Sequence, residues 1–233
     1  MFEVNADLIA SARAVLKDRS NLYWLIGGAA SGKSALCSAI AERTGITIYG
    51  MDERIYGSYG PRYTAERHPA NTEWRAAENP LAWSLNLTAE AFDAFNRAAT
   101  AEYLDLLAAD LAATLPDQPI LIDGGITHPS VIAQVLPARQ ILCVCTNDAE
   151  RVQVWEHAPE RAEMRRWIAA LAEPGHMWRR FLDCDTAITT TIRNESLAAQ
   201  IPLLFRRTYD PIDCLVDQIL GYFKIPSGSL SAA

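Results

Sequence analysis

Apolar positions along this chain fall into short unbroken runs separated by longer stretches with a helical stripe. Leu8, Ala12, Val15 and Leu16 share one face at helical spacing behind Asn5, a good cap, so residues 5 to 18 predict a helix. Leu22 to Ile26 is an uninterrupted apolar run of the kind found in strands covered on both faces. Lys33 to Arg43 predicts a second helix, stopped near Gly45, and the β-branched run Ile46 to Tyr49 a second strand. Thr88 caps a long helix from Ala89 to about Leu115, with Phe92, Phe95, Tyr103, Leu107 and Leu111 as its inner stripe and Pro116 and Pro119 as its end. Ile120 to Asp123 and Gln140 to Cys145 predict a third and a fourth strand, with His128-Pro129 opening a short helix between them.

After the fourth strand, Asn147 and Glu150 stand three apart like a capping box, and Pro159 opens another helix, PERAEMRRWIAAL. Glu173-Pro174-Gly175 interrupts the chain, and a long helix carrying Trp178, Phe181, Leu182, Ile188 and Ile192 follows, weakened at Thr189-Thr190-Thr191. Ile201 to Phe205 is the fifth strand and Pro211 to Phe223 the closing helix. Strands that alternate with helices predict an α/β fold around a parallel sheet. One stretch departs from this pattern: residues 56 to 88 lose periodicity and mix Gly, Pro, Asn, aromatics and charges. It is too aromatic for disorder and is expected as an insert that covers a substrate. The tail from Pro226 has nothing to pack and is expected to be disordered.

Composition narrows the setting. With 233 residues, 50% hydrophobic and 21% charged, the chain suits one domain with a substantial core, residues 1 to 225. A net charge of -7 argues against nucleic acid or an anionic membrane surface as partner. Glu3 and Asp7 interrupt the N-terminal region and no long unbroken apolar run occurs, so neither a signal peptide nor a membrane span is read and the cytoplasm is the expected location. The five cysteines are scattered without zinc-site or disulfide spacing, and Cys143 and Cys145 are expected as core thiols.

The chemistry concentrates after the first strand. Gly27-Gly28-Ala29-Ala30-Ser31-Gly32-Lys33-Ser34 fits G-x-x-x-x-G-K-[ST], between a strand and a helix as the pattern requires. A triphosphate needs converging backbone N–H donors and small side chains, which Gly27, Gly28 and Gly32 supply. Lys33, one of only three lysines among 21 basic residues, would lie along the β- and γ-phosphates; Ser34 would hold Mg²⁺ and Ala35 continues the helix end that faces the anion. The second strand runs into Asp52, a carboxylate for a substrate proton or a metal-bound water; the third ends on Asp123, which would orient the Mg²⁺ shell. Gly124 and Gly125 follow where a water-activating Glu would stand in a motor ATPase, and no N-K-x-D guanine-reading motif occurs, so transfer to an acceptor is favoured over hydrolysis or signalling. Arg161 and Arg165, four apart with Arg166 beside them, predict a basic lid over residues 151 to 173. Arg54, Arg62, Arg67 and His128 are candidate substrate contacts, each weighed against a plain surface or capping role.

The loop GGAASGKS, the carboxylate at Asp52, the strand ending in Asp123-Gly124-Gly125 and the arginines from Arg151 to Arg166 resemble the P-loop small-molecule and nucleotide kinases, such as the nucleoside monophosphate, shikimate, gluconate and chloramphenicol kinases. That resemblance covers most of residues 20 to 223, with high specificity only in the loop. It implies the three-layer P-loop NTPase fold with strand order 2-3-1-4-5, ATP and Mg²⁺ as donor and metal, and an adenine-contacting segment at about Arg206 to Tyr209. The expected function is transfer of the γ-phosphate to a hydroxyl or phosphate of a small metabolite, with room left for a homodimer. Two alternatives stand beside it. One is a P-loop transferase of other chemistry, such as the tRNA prenyltransferases, whose D-S-x-Q segment Asp52-Glu53-Arg54 does not reproduce. The other is an ATP-binding regulatory protein without turnover.

Overall fold

Both faces of the apolar strands find a partner layer. In the computed structural model, which describes residues 2–114, 117–207 and 209–226, five strands form one parallel sheet. They are β1 (Leu22–Ile26), β2 (Thr47–Gly50), β3 (Ile120–Asp123), β4 (Ile141–Cys145) and β5 (Leu203–Phe205), in the spatial order β2-β3-β1-β4-β5. The register sets Leu22 beside Ile120 and Gly50 beside Asp123, so the ends of β1, β2 and β3 lie at one rim of the sheet. In such sheets ligands bind beyond the carboxyl ends of the strands.

Alternate residues of β1 enter different cores. Leu22, Trp24 and Ile26 join Leu16, Leu104, Leu107 and Ile192 on one face, while Leu25 joins Leu36, Ile40, Leu215 and Ile219 on the other. The first face is covered by α1 (Ala6–Leu16), and the second by α2 (Lys33–Thr44). The helix α1 has the Asn5 cap that its sequence predicts, with Asn5 Oδ1 accepting from Asp7 N at 3.0 Å. Helix α2 ends at Gly45 with φ 76°, a left-handed cap that glycine takes without Cβ strain.

The insert is helical where periodicity is lacking. Two short helices, α3 (Pro69–Ala76) and α4 (Pro80–Asn86), follow a π turn at Arg54–Ser58. Each opens on Pro at its first position, where the missing N–H has no intrahelical acceptor to lose. They pack on α5 (Ala89–Ala112), capped by Thr88 as expected; the expected end at 115 and 116 lies outside the described residues.

Beyond β4, α6 (Asp148–His157) is capped by Asn147, whose Oδ1 accepts from Ala149 N at 2.8 Å. The box is incomplete, because Glu150 Oε2 accepts from Thr146 Oγ1. The helix expected at Pro159 is a single 3-10 turn, Pro159–Arg161, leading into α7 (Ala162–Ala169). Next, α8 (Pro174–Ala198) runs unbroken through Thr189-Thr190-Thr191, and α9 (Ile212–Phe223) closes the domain. The tail expected to be disordered lies outside the described residues beyond 226. Among the described residues no helix is long and apolar enough to cross a membrane.

Candidate functional site

The loop from Gly27 to Ser34 connects β1 to α2 through three left-handed backbone positions, Gly27 (φ 147°), Ala30 (φ 61°) and Gly32 (φ 82°). Such a path turns peptide N–H groups toward a common point. Surrounding chains press close enough to exclude side chains. A Cβ at Gly27 would stand 2.2 Å from the Val144 carbonyl oxygen, and one at Gly28 would stand 2.4 Å from Thr189 Oγ1. Arg206 lies across Gly32, its Nη1 3.5 Å from the Ser31 carbonyl oxygen. Among buried side-chain atoms without a hydrogen-bond partner are Ser31 Oγ, Thr189 Oγ1, Arg206 Nε and Asp123 Oδ1, all touching or flanking this loop. Unmet polar groups gathered at one spot mark a place where a polar ligand or water completes the structure.

Lys33, the first residue of α2, folds back so that its Nζ donates to the Gly28 carbonyl at 3.2 Å. Its stem meets the end of β3 at Gly124. A Cβ there would lie 3.2 Å from both Lys33 Cε and Asp52 Oδ2, so the lysine and the aspartate flank one peptide. That peptide is fixed twice, with Gly124 N donating to the Leu25 carbonyl and the buried Trp24 Nε1–H donating to the Gly124 carbonyl, each at 3.0 Å.

Asp52 is solvent-exposed beside Gly124. Loss of hydration there raises its carboxyl above the ordinary value, with the Asp123 charge adding to the rise and Lys33, Arg161 and a Gly125 hydrogen bond opposing it. Tyr56 stands beside it, 71% exposed. Burial, reinforced by the Asp123 charge, likewise pushes up the Cys37 thiol, which stays protonated.

No described group of three or more His, Cys, Asp or Glu side chains could cage a metal. A Mg²⁺ ion that keeps waters and shares phosphates needs no such cage. Asp123, half-buried with its Oδ1 enclosed and unpartnered, lies close enough to bear on Asp52 and has the chemistry of an outer-shell ligand. The residues present are compatible with that ion, and Ser34, exposed at the start of α2, could supply a hydroxyl.

The other expected site residues divide. Arg161 points its charge toward Asp52 and stacks 4.6 Å over the Trp155 ring, with its Nε buried and unpartnered. Arg165 is engaged elsewhere, donating to the Trp155 and Ala158 carbonyls at 2.8 and 3.0 Å, which ties α7 to the end of α6. Arg166 is exposed. Arg62 pairs with Asp110 at 2.6 Å and Arg67 with Asp105 at 2.5 Å, so both anchor the insert to α5 and not a substrate anion. Arg54 shares Asp110 at 3.3 Å and lies over the Tyr49 ring. His128 precedes the short helix Pro129–Ile132 without a side-chain cap bond and pairs with Asp93 at 3.2 Å. Tyr209 is 73% exposed, accepts from Arg207 Nη1 at 3.0 Å and has the Arg207 guanidinium 5.9 Å over its ring.

Two participants are missing from the sequence reading, Trp24 and Thr189, and Arg151, expected in the basic lid, is instead fully buried. Arg151 is paired with Asp185 and lies with Thr189 beside Gly28 and Ala29. A tryptophan inside a buried strand signals a required acceptor for its N–H, but not which acceptor. Compared with models of known protein families and with curated proteins, the chain matches none.

Proposed function

We propose that this protein is an ATP- and Mg²⁺-dependent phosphotransferase that moves the γ-phosphate to a hydroxyl or phosphate of a small metabolite. The observation that carries the reading is the convergence of Lys33 and Asp52 on Gly124, beside the glycine loop and next to Asp123. An ammonium, a carboxylate with a raised pKa and a backbone cradle at one strand rim are the parts that phosphoryl transfer needs.

In this mechanism the N–H groups of residues 27 to 34 bind the phosphates, and Lys33 exchanges the Gly28 carbonyl for the β- and γ-phosphate oxygens. Ser34 and Asp123 would hold Mg²⁺, and the ion would supply neutralising charge for the phosphates. Asp52 accepts the acceptor's proton at its carboxylate, an assignment favoured by its raised pKa. Arg161 takes up charge from the α6–α7 side, while Arg165 holds that segment in place. Arg206 lies against the loop and the Tyr209 ring offers an adenine platform.

The test is acceptor-dependent ADP release across a panel of hydroxylated and phosphorylated metabolites with Mg²⁺·ATP, in the native chain and in Lys33→Ala. Turnover lost in the variant with the fold intact supports the reading; equal turnover rejects it. Nucleotide bound tightly without turnover on any acceptor would favour a regulatory protein, and prenyl transfer a different transferase.

A further inference from the structure

Two cations reach the phosphate loop from different sides, and each rests on one of its carbonyl oxygens. Lys33 Nζ donates to the Gly28 carbonyl at 3.2 Å, and Arg206 Nη1 to the Ser31 carbonyl at 3.5 Å. The lysine stem runs toward β3, where it meets Gly124 beside Asp52. Arg206 comes from the other flank of the sheet, as the residue that follows β5.

The origin of Arg206 is fixed against the loop. Its backbone N donates to the Cys145 carbonyl at 2.8 Å, and the preceding carbonyl, of Val144, is the group that presses on Gly27. The end of β4 therefore holds both the start of the loop and the backbone of this arginine. At the far end of the side chain, a Cβ on Gly32 would overlap Arg206 Nη1 and stand 2.6 Å from Cζ. The space that the second glycine of the motif leaves open is filled by a guanidinium.

Charge separates Arg206 from the arginines that brace the fold. Arg54 and Arg62 pair with Asp110, Arg67 with Asp105, Arg97 with Glu195 and Arg151 with Asp185. Among the described residues no carboxylate pairs with Arg206; its side chain makes the one long bond to a neutral carbonyl, and its Nε is enclosed without an acceptor. The acidic residue nearest in sequence, Asp210, accepts from the Arg207 backbone N–H at 2.8 Å. A half-buried, uncompensated guanidinium lying against a loop of converging backbone N–H groups suits an anion that both can share.

We infer that Arg206 is a ligand of the nucleotide's α- and β-phosphates, and that it reads the phosphate chain and not the adenine base. The inference rests on the phosphotransferase reading and departs from the adenine contact that the sequence resemblance implies at this position. Lys33, which flanks Gly124 with Asp52, marks the γ-phosphate end. An arginine from the opposite flank meets the part that ATP and ADP have in common. Its planar fork can give two parallel N–H bonds to one phosphate, which the ammonium of a lysine cannot.

The full chain is titrated calorimetrically in the presence of Mg²⁺ with a non-hydrolysable ATP analogue, ADP and inorganic tripolyphosphate, in the native form and as Arg206→Gln and Arg206→Lys. Arg206→Gln should weaken all three by about ten-fold or more, and Arg206→Lys should recover part of each loss. Unchanged tripolyphosphate binding while the ATP analogue weakens would place Arg206 on the base or ribose, and unchanged ADP binding would place it on the γ-phosphate; either result overturns the assignment. A lower melting temperature with all three affinities intact would make it a brace of the loop and overturn it too. If Arg206→Gln does not fold, the native Arg206 Nε–H resonance decides: it should shift on addition of tripolyphosphate, and no shift at saturation overturns the assignment. Binding of the ATP analogue without tripolyphosphate by the native chain would do the same. Failure of both the ATP analogue and ADP to bind the native chain rejects the phosphotransferase reading itself, a result separable from the role of Arg206.

Discussion

Gly124 separates Lys33 from Asp52, and its backbone, at φ 66°, is in the left-handed region. Gly124→Ala should cost about 1–2 kcal/mol of stability from that conformation and should lower turnover more than nucleotide affinity, because the new methyl meets the carboxylate as well as the lysine stem. At Asp52 the pKa shift gives two outcomes of opposite sign. A raised carboxyl makes the native state bind the proton more tightly than the unfolded chain, so Asp52's contribution to stability falls as pH rises from the ordinary carboxylate range through the folded value. Asp52→Asn should therefore raise the melting temperature at neutral pH while lowering turnover by about 10²–10⁴. The acid limb of kcat/KM should lie above the ordinary aspartate value of 3.8 and vanish in the variant. An unchanged turnover number would remove Asp52 from the chemistry. Lys33, Asp52 and Asp123 were legible in the sequence because each ends or follows a recognisable strand, and the strand ends meet. The contacts of Trp24 and Thr189 depend on which distant segment arrives beside them, which no local pattern encodes.

Among the elements, the insert shows where pattern reading stops. Helices α3 and α4 are eight and seven residues long, too short for a stripe, and their ordering comes from α5. Glu102, 2% exposed on α5, accepts from Ala70 N at 2.8 Å and from Asn71 N at 2.9 Å, and so caps α3 from across the domain where His68 supplies no side-chain cap. Glu102→Ala should cost about 2–4 kcal/mol in urea unfolding and speed amide exchange across 69 to 86. Glu102→Gln, which keeps one acceptor, should retain part of that loss. Neighbouring Asp105 behaves in the opposite sense to Asp52. Burial would raise its carboxyl, but hydrogen bonds from Arg67 and His68 hold it below the ordinary range. Its contribution is present above the unfolded value and is lost as pH falls through the folded one, so exchange in the insert should quicken in acid before the sheet opens. The arginines of the insert were legible as charges, but their partners lie on a helix whose inner stripe reads as purely apolar. By contrast, β1 and β3 have the boundaries their sequences predict, since apolar runs flanked by Gly or Pro leave little choice.

For the whole molecule, alternating strands and helices make the α/β class plain, whereas the neighbour order of the strands cannot be read from spacing. That order has a kinetic price. The earliest strand made, β1, is central, and both of its partners arrive late, residue 22 meeting residue 120 and residue 24 meeting residue 141. A ribosome elongating at about 5–20 residues per second holds the apolar LYWLI segment without a mate for several seconds. Distant pairing also slows the search once the chain is complete. A chain ending at residue 119 should aggregate, and refolding from urea should be slow and should lose yield as protein concentration rises. Fast, concentration-independent recovery would show that the flanking helices shelter β1 first. The centre of the finished sheet is thus the most vulnerable segment of the nascent chain, and a holdase chaperone that engages residues 22 to 26 should improve the yield of soluble protein.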